Sequence, residues 1–234
     1  MRPQFHARKH LNSRLWMRDL QAGRRDTRLA FGHGFYGHTT GTSSRVQRNY
    51  LAAYWAESPE DVVAMTAVLN QGLDAFEATF GFASQSFIAC NHVFPAELEE
   101  VLVKRGVTLL QGQRGQSTPQ PGKGGACSVQ RRYTGQRNRH GQCYSVRNVH
   151  FEPYVDPARD WVGSALKEIR QAFRLRRPAV VTSHRINYVG GMHLQHRDRS
   201  LRLLDDLLGR IRTIWPDAQF ISSDRLAMRM KEMF

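Results

Sequence analysis

The run Pro178-Ala-Val-Val-Thr-Ser-His-Arg-Ile-Asn-Tyr-Val-Gly-Gly191 gathers chemically able side chains behind an apolar segment. Ala179 to Thr182 read as a short buried strand. It leads straight into Ser183, His184, Arg185 and Asn187, groups suited to act as acids, donors or ligands. Gly190 and Gly191 then break the backbone. An imidazole carried at the C-terminal end of a strand is how barrel-like α/β enzymes place a catalytic group. A histidine merely hydrogen-bonded at a strand end has the same local pattern. A second pair stands near the start, in Phe5-His-Ala-Arg-Lys-His-Leu-Asn12. On a helical turn, residues four apart share a face, which would bring His6 and His10 within reach of one divalent metal ion, zinc by ligand type. Such an ion needs a third ligand, usually a carboxylate, and for catalysis an open position.

Three carboxylates and amides complete the candidates. Asp160 opens Asp160-Trp-Val162, where an ordinary first-turn acid opposing a helix dipole is the competing reading. Glu152, in Phe151-Glu-Pro153, precedes the helix that leads to the His184 strand and could line the same mouth, with an exposed loop glutamate the competing reading. Asn91 sits just past another strand end. Asn91, Arg185, Asn187 and Glu152 are therefore expected to contact substrate, with a capped turn the alternative for Arg185 and Asn187. His33 and His38, in Gly32-His-Gly-Phe-Tyr-Gly-His38, read as loop residues.

The elements that must position these groups alternate. Ser58 is a good N-cap, Pro59 suits the first helical position, and Glu60 and Asp61 oppose the helix dipole. Val62, Val63, Met65, Leu69, Leu73, Phe76 and Phe80 then form a helical stripe that stops at Gly81. A strand over Ser84–Cys90, a helix over Ala96–Arg105 and a strand over Val107–Leu110 follow. Asp156 and Pro157 should open a helix running to Phe173. After the His184 strand come a helix from about Ser200 to Ile214, a strand from Ala218 to Ile221 and a short helix from Ser223. Between them, about 112–149 form a long basic, glycine-rich insertion, read as a functional lid or a partly disordered stretch. Strand–helix alternation argues for a parallel α/β architecture in one domain spanning 1–234.

Composition narrows the class. The 234 residues suffice for one domain, burying roughly 70–75% of the unfolded chain's surface. No apolar run approaches the roughly 20 residues of a membrane span, and the basic N-terminus lacks a secretory apolar stretch, so a cytoplasmic protein is expected. Cys90, Cys127 and Cys143 are odd in number and widely spaced, which favours free thiols over a disulfide framework. The net charge is +14, supplied mostly by arginine, whose planar fork suits phosphate and carboxylate. Acidic glycans, nucleotide sugars and nucleic acid are the partner classes this charge admits. No nucleic-acid motif accompanies it. Arginine-rich codon usage would give the same excess without any partner.

In order along the chain, these segments resemble the NodB-homology, or polysaccharide deacetylase, superfamily (carbohydrate esterase family 4), from residue 4 to about 230. The closest likeness is to bacterial deacetylase-like proteins found near surface-polysaccharide genes. His6 and His10 resemble its second motif, whose histidines hold the metal. Ser86-Phe-Ile-Ala-Cys-Asn91 stands at the third, Asp160-Trp-Val162 at the fourth and Val181-Thr-Ser-His184 at the fifth. Trp215-Pro216 and Phe220-Ile-Ser-Ser-Asp224 resemble the C-terminal part. The resemblance implies an incomplete or distorted (β/α) barrel of the polysaccharide deacetylase type. It implies a metal-dependent hydrolase of N-acyl amino sugars, with His184 as general acid oriented by Asp160. The family's first motif, an aspartate pair upstream of the metal histidines, has no counterpart in the five residues before His6. A late start, a fragment or a divergent member with part of its site missing is then expected. A non-catalytic carbohydrate-binding or nucleic-acid-binding protein on the same scaffold is the alternative. In a parallel barrel, His6, His10 and His184 are expected to meet at one mouth.

Overall fold

The computed structural model describes residues 2–36, 50–191 and 193–233; His38 lies outside them. The chain is a mixed α/β protein that gathers into two compact units. The first comprises Met1–Ser145 with Ser222–Phe234, the second Val146–Ile221.

The first unit contains helices α1 (Ser13–Gln21), α2 (Arg25–Gly32), α3 (Pro59–Phe80), α4 (Glu97–Lys104) and α7 (Ser223–Met233), and strands β1 (Ser86–Ile88), β2 (Leu109–Gly112), β3 (Gly115–Pro119), β4 (Cys127–Arg131) and β5 (Cys143–Val146). α3 begins with a reciprocal capping box, in which Ser58 Oγ accepts from the Asp61 amide and the Asp61 carboxylate accepts from the Ser58 amide. It ends at Gly81, whose φ of 73° is the left-handed conformation that closes helices. Met65, Leu69, Leu73 and Phe76 are buried, whereas Val63 and Phe80, expected on the same stripe, are exposed. Over 22 residues the apolar pattern is wider than the face that is buried.

β1, β2 and β5 form a three-stranded sheet in that order, with β1 parallel to β2 and Phe87 opposite Leu110. On the other side of β1 the N-terminal segment lies parallel, through a bridge between Phe5 and Phe87. Phe5 donates its amide to Ser84 Oγ at 3.2 Å, and its carbonyl accepts from the Ile88 amide at 3.1 Å. Its ring is buried against Phe76 and Phe87. The stretch expected to be a lid or partly disordered contains built structure: β3 and β4 pair as an antiparallel hairpin, from Gly115 opposite Arg131 to Pro119 opposite Cys127.

The second unit holds strands β6 (Val149–His150) and β7 (Val181–Thr182) and helices α5 (Trp161–Arg174) and α6 (Leu194–Ile214). β6 and β7 pair in parallel, Val149 opposite Val181 and His150 opposite Thr182. The core joins Val149 and Phe151 to Trp161 and Ile169 of α5 and to Leu207 and Ile211 of α6. Two boundaries differ from expectation. α5 starts four residues late, because Asp156 closes a local turn by accepting from the Ala158 amide, and Asp160 caps the helix instead. α6 starts at Leu194, a turn and a half before Ser200. Ala218 to Ile221 form no strand; Ala218 packs at the edge of the α5–α6 core.

Candidate functional site

The first group assembles where the N-terminal segment leaves the side of β1. Residues 6–10 run as extended chain and bends, not as the helical turn expected from their spacing. The two imidazoles meet nevertheless, with ring centroids 5.2 Å apart. Phe5 is the reason: held in the core and bridged to Phe87, it delivers His6 to the same end of the parallel pair at which β1 stops. His6 Nδ1 lies 2.7 Å from the Ile88 carbonyl oxygen. A carbonyl only accepts, so Nδ1 is the donor, and in the neutral ring the lone pair then sits on Nε2, a tautomer suited to metal ligation. Beyond His10, the buried Asn12 anchors the segment. Its amide group donates to the Trp55 carbonyl at 2.9 Å, and its oxygen accepts from the Leu15 amide at 3.1 Å, capping α1.

Cys90 completes this cluster. It is buried two residues past the end of β1, and its thiol points at the Lys9 carbonyl, 3.9 Å away, on the peptide leading into His10. One ligand atom each from His6, His10 and Cys90 lie within 4.8 Å of one another. Around a tetrahedral zinc, neighbouring ligand atoms stand roughly 3.5 Å apart, so no pair would have to close by much more than about an ångström. Two imidazoles and a sulfur fit a borderline-soft divalent ion, and three protein ligands leave a position open. Burial pushes the Cys90 thiol up to about 12. Spacing alone did not single out Cys90, which lies eighty residues from His10. Its one sequence signal is its place at the end of an apolar strand. Asn91, expected to contact substrate, follows in an exposed turn with φ 54°, and His92 repeats that conformation at 55°.

The second group stands in the second unit at the ends of β6 and β7. The carboxylate bonded to the His184 ring is Glu152, not Asp160. Glu152 Oε1 accepts from His184 Nδ1 at 2.5 Å; its Oε2 accepts from the His184 amide at 3.2 Å and from Asn187 Nδ2 at 2.6 Å. Parallel pairing of the two strands explains the meeting, since both residues lie two positions beyond the paired His150 and Thr182. Glu152 is 13% exposed and His184 64%, so the acid is sheltered while the ring meets solvent. Asp160 spends its carboxylate on the Gly163 amide, at 2.8 Å, as the cap of α5. Asn187, expected to bind substrate, is buried and braces the turn: it donates to Glu152 and to the His184 carbonyl, and its oxygen accepts from the Tyr154 amide at 2.9 Å. Arg185 remains exposed. Burial holds Arg147 below its ordinary value, with the Glu152 charge pulling the other way. Burial also raises Tyr188, whose hydroxyl lies 2.6 Å from Ser183 Oγ.

The chain matches no family model, no curated protein and no solved structure. Among the described residues no helix is long and apolar enough to cross a membrane.

Proposed function

We propose that this protein is a metal-dependent hydrolase that removes acyl groups from N-acyl amino sugars, with His6 and His10 holding a zinc-type ion; the general-acid role of His184 is what the sequence resemblance implies. The observation that carries the reading is the three-membered ligand group formed by His6, His10 and Cys90. When bound, such an ion supplies Lewis acidity toward a carbonyl and acidifies water. Hydrolysis of the amide adds water across the C–N bond, yielding a carboxylic acid and a sugar amine that must be protonated to leave. In its charged form the His184 ring donates from Nδ1 to Glu152 and keeps a second proton, on Nε2, that a general acid needs. Glu152 takes the orienting role that the sequence resemblance gives to Asp160. The sugar substrate comes from that resemblance alone.

The reading extends to architecture: the N-terminal segment, β1 and β2 lie parallel and adjacent, as consecutive strands of an incomplete (β/α) barrel do. A cytoplasmic setting goes with it and suits the three free cysteines. The test is metal analysis of protein purified without chelators, with acetate release from N-acetylglucosamine oligomers. About one equivalent of metal, lost in His6→Ala and His10→Ala, and acetate release abolished in His184→Ala are expected. Metal-free protein, or a metal-loaded protein that binds the oligomers without releasing acetate, would overturn the hydrolase.

A further inference from the structure

We propose that the Cys90 sulfur is the third protein ligand of this metal, making the centre a thiolate–bis-imidazole site that selects zinc-class ions over oxygen-seeking ones. The inference rests on the metal reading above and deepens it by assigning the ligand set and the ion class.

Three observations converge on the sulfur. The first is placement: parallel pairing brings the end of β1 and the chain after Phe5 to one edge, so Cys90 and the two histidines arrive from opposite ends of a long separation. The second is the backbone. Cys90 is followed by two consecutive left-handed residues, Asn91 and His92. They turn the chain sharply at the point where the sulfur faces the Lys9 peptide. The third is Tyr54, whose buried hydroxyl has no hydrogen-bond partner among the described residues and lies within electrostatic reach of Cys90. A metal-held sulfur accepts hydrogen bonds, and such outer partners tune metal sites. Cys143 is buried in a separate cluster with Leu109, Ala227 and Met230, and Cys127 sits on β4, so neither competes for the role.

Ligand softness then sets the ion. Thiolate favours zinc, cobalt and cadmium, whereas magnesium, calcium and manganese prefer oxygen. No buried carboxylate belongs to the cluster found among the described residues.

Cobalt(II) titration of the apoprotein provides the test. The wild type, Cys127→Ser and Cys143→Ala are expected to show a near-ultraviolet thiolate-to-cobalt charge-transfer band saturating at one equivalent. Cys90→Ala should lose the band and bind zinc roughly 100-fold or more weakly, beyond the 10–100-fold typical of lost outer-shell partners. Cys90→Asp should also lose the band but gain in manganese affinity relative to zinc. One equivalent of cobalt bound through His6 and His10 without the band would overturn the thiolate and leave the hydrolase's metal standing. No binding of cobalt or zinc would overturn both. X-ray absorption of the wild-type zinc protein gives the same decision if Cys90→Ala fails to fold. One sulfur among the nearest atoms supports the proposal, and nitrogen and oxygen alone refute it.

Discussion

At the scale of single residues, Glu152 is surrounded by donors. It accepts from the His184 ring, the His184 amide and the buried Asn187 amide group. Glu152→Gln keeps the shape but turns one acceptor into an NH2 that must face a donor. A buried polar group left unsatisfied costs about 1–3 kcal/mol, so urea denaturation should show a loss of that size. Imidazole nitrogen spectra should show the His184 Nδ1 proton losing its bond. Asp160→Ala separates the two acids. Removing a helix cap costs about 1 kcal/mol, and the His184 spectrum should stay as in the wild type. A changed His184 spectrum in Asp160→Ala would return the orienting role to Asp160.

Among elements, the one that matters most for the first cluster is α3, because it sets how closely the N-terminal segment can approach. A Cβ at Gly72 would meet Phe5 at 3.0 Å and the Arg8 side chain at 3.1 Å, residues that flank His6. Helix propensity favours alanine over glycine by roughly 1 kcal/mol, but overpacking a core contact costs about 1–3 kcal/mol. Gly72→Ala should therefore be net destabilising and weaken zinc binding, because Phe5 cannot retreat without carrying His6 with it. Gly209 in α6 is the control. Nothing lies within 4 Å of an added Cβ there, so Gly209→Ala should stabilise by about 0.5–1 kcal/mol and leave zinc affinity unchanged. Calorimetric zinc titrations of both variants make the comparison; equal affinities would break the link between α3 and the site.

For the whole molecule, the division into two units separates the effects of metal from those of the His184 group. An ion that binds only the folded state stabilises what it binds by RT ln(1 + [L]/Kd), about 2.7 kcal/mol at a hundredfold excess over Kd. Because His6, His10 and Cys90 all belong to the first unit, zinc should slow hydrogen exchange around residues 5–10 and 86–92. Exchange in α5 and α6, whose core is built within Val146–Ile221, should hardly change. Chelation should reverse the first effect. Equal protection throughout both units would show that they unfold together.

Local signals carried their elements faithfully where they were self-contained. Ser58, Pro59 and Gly81 mark α3 because a capping box, a proline and a left-handed glycine act within a few residues. The apolar runs ahead of Asn91 and His184 marked strands that came out shorter: Ser86–Ile88 where Ser84–Cys90 was expected, and Val181–Thr182, with Val181 exposed, where a buried Ala179–Thr182 was expected. Asp156 and Asp160 show the limit: Asp156 was expected to open the helix and Asp160 to sit in its first turn, but Asp156 closes a turn with Ala158 and Asp160 becomes the cap. His6 and His10 were singled out by a spacing that assumed a helix, yet their rings meet through a segment braced by Phe5 and Asn12. Cys90 and Glu152 acquire their places only from tertiary structure. Parallel pairing brings distant strand ends to one edge, and periodicity records which face of a strand is buried but not which strand will be its neighbour.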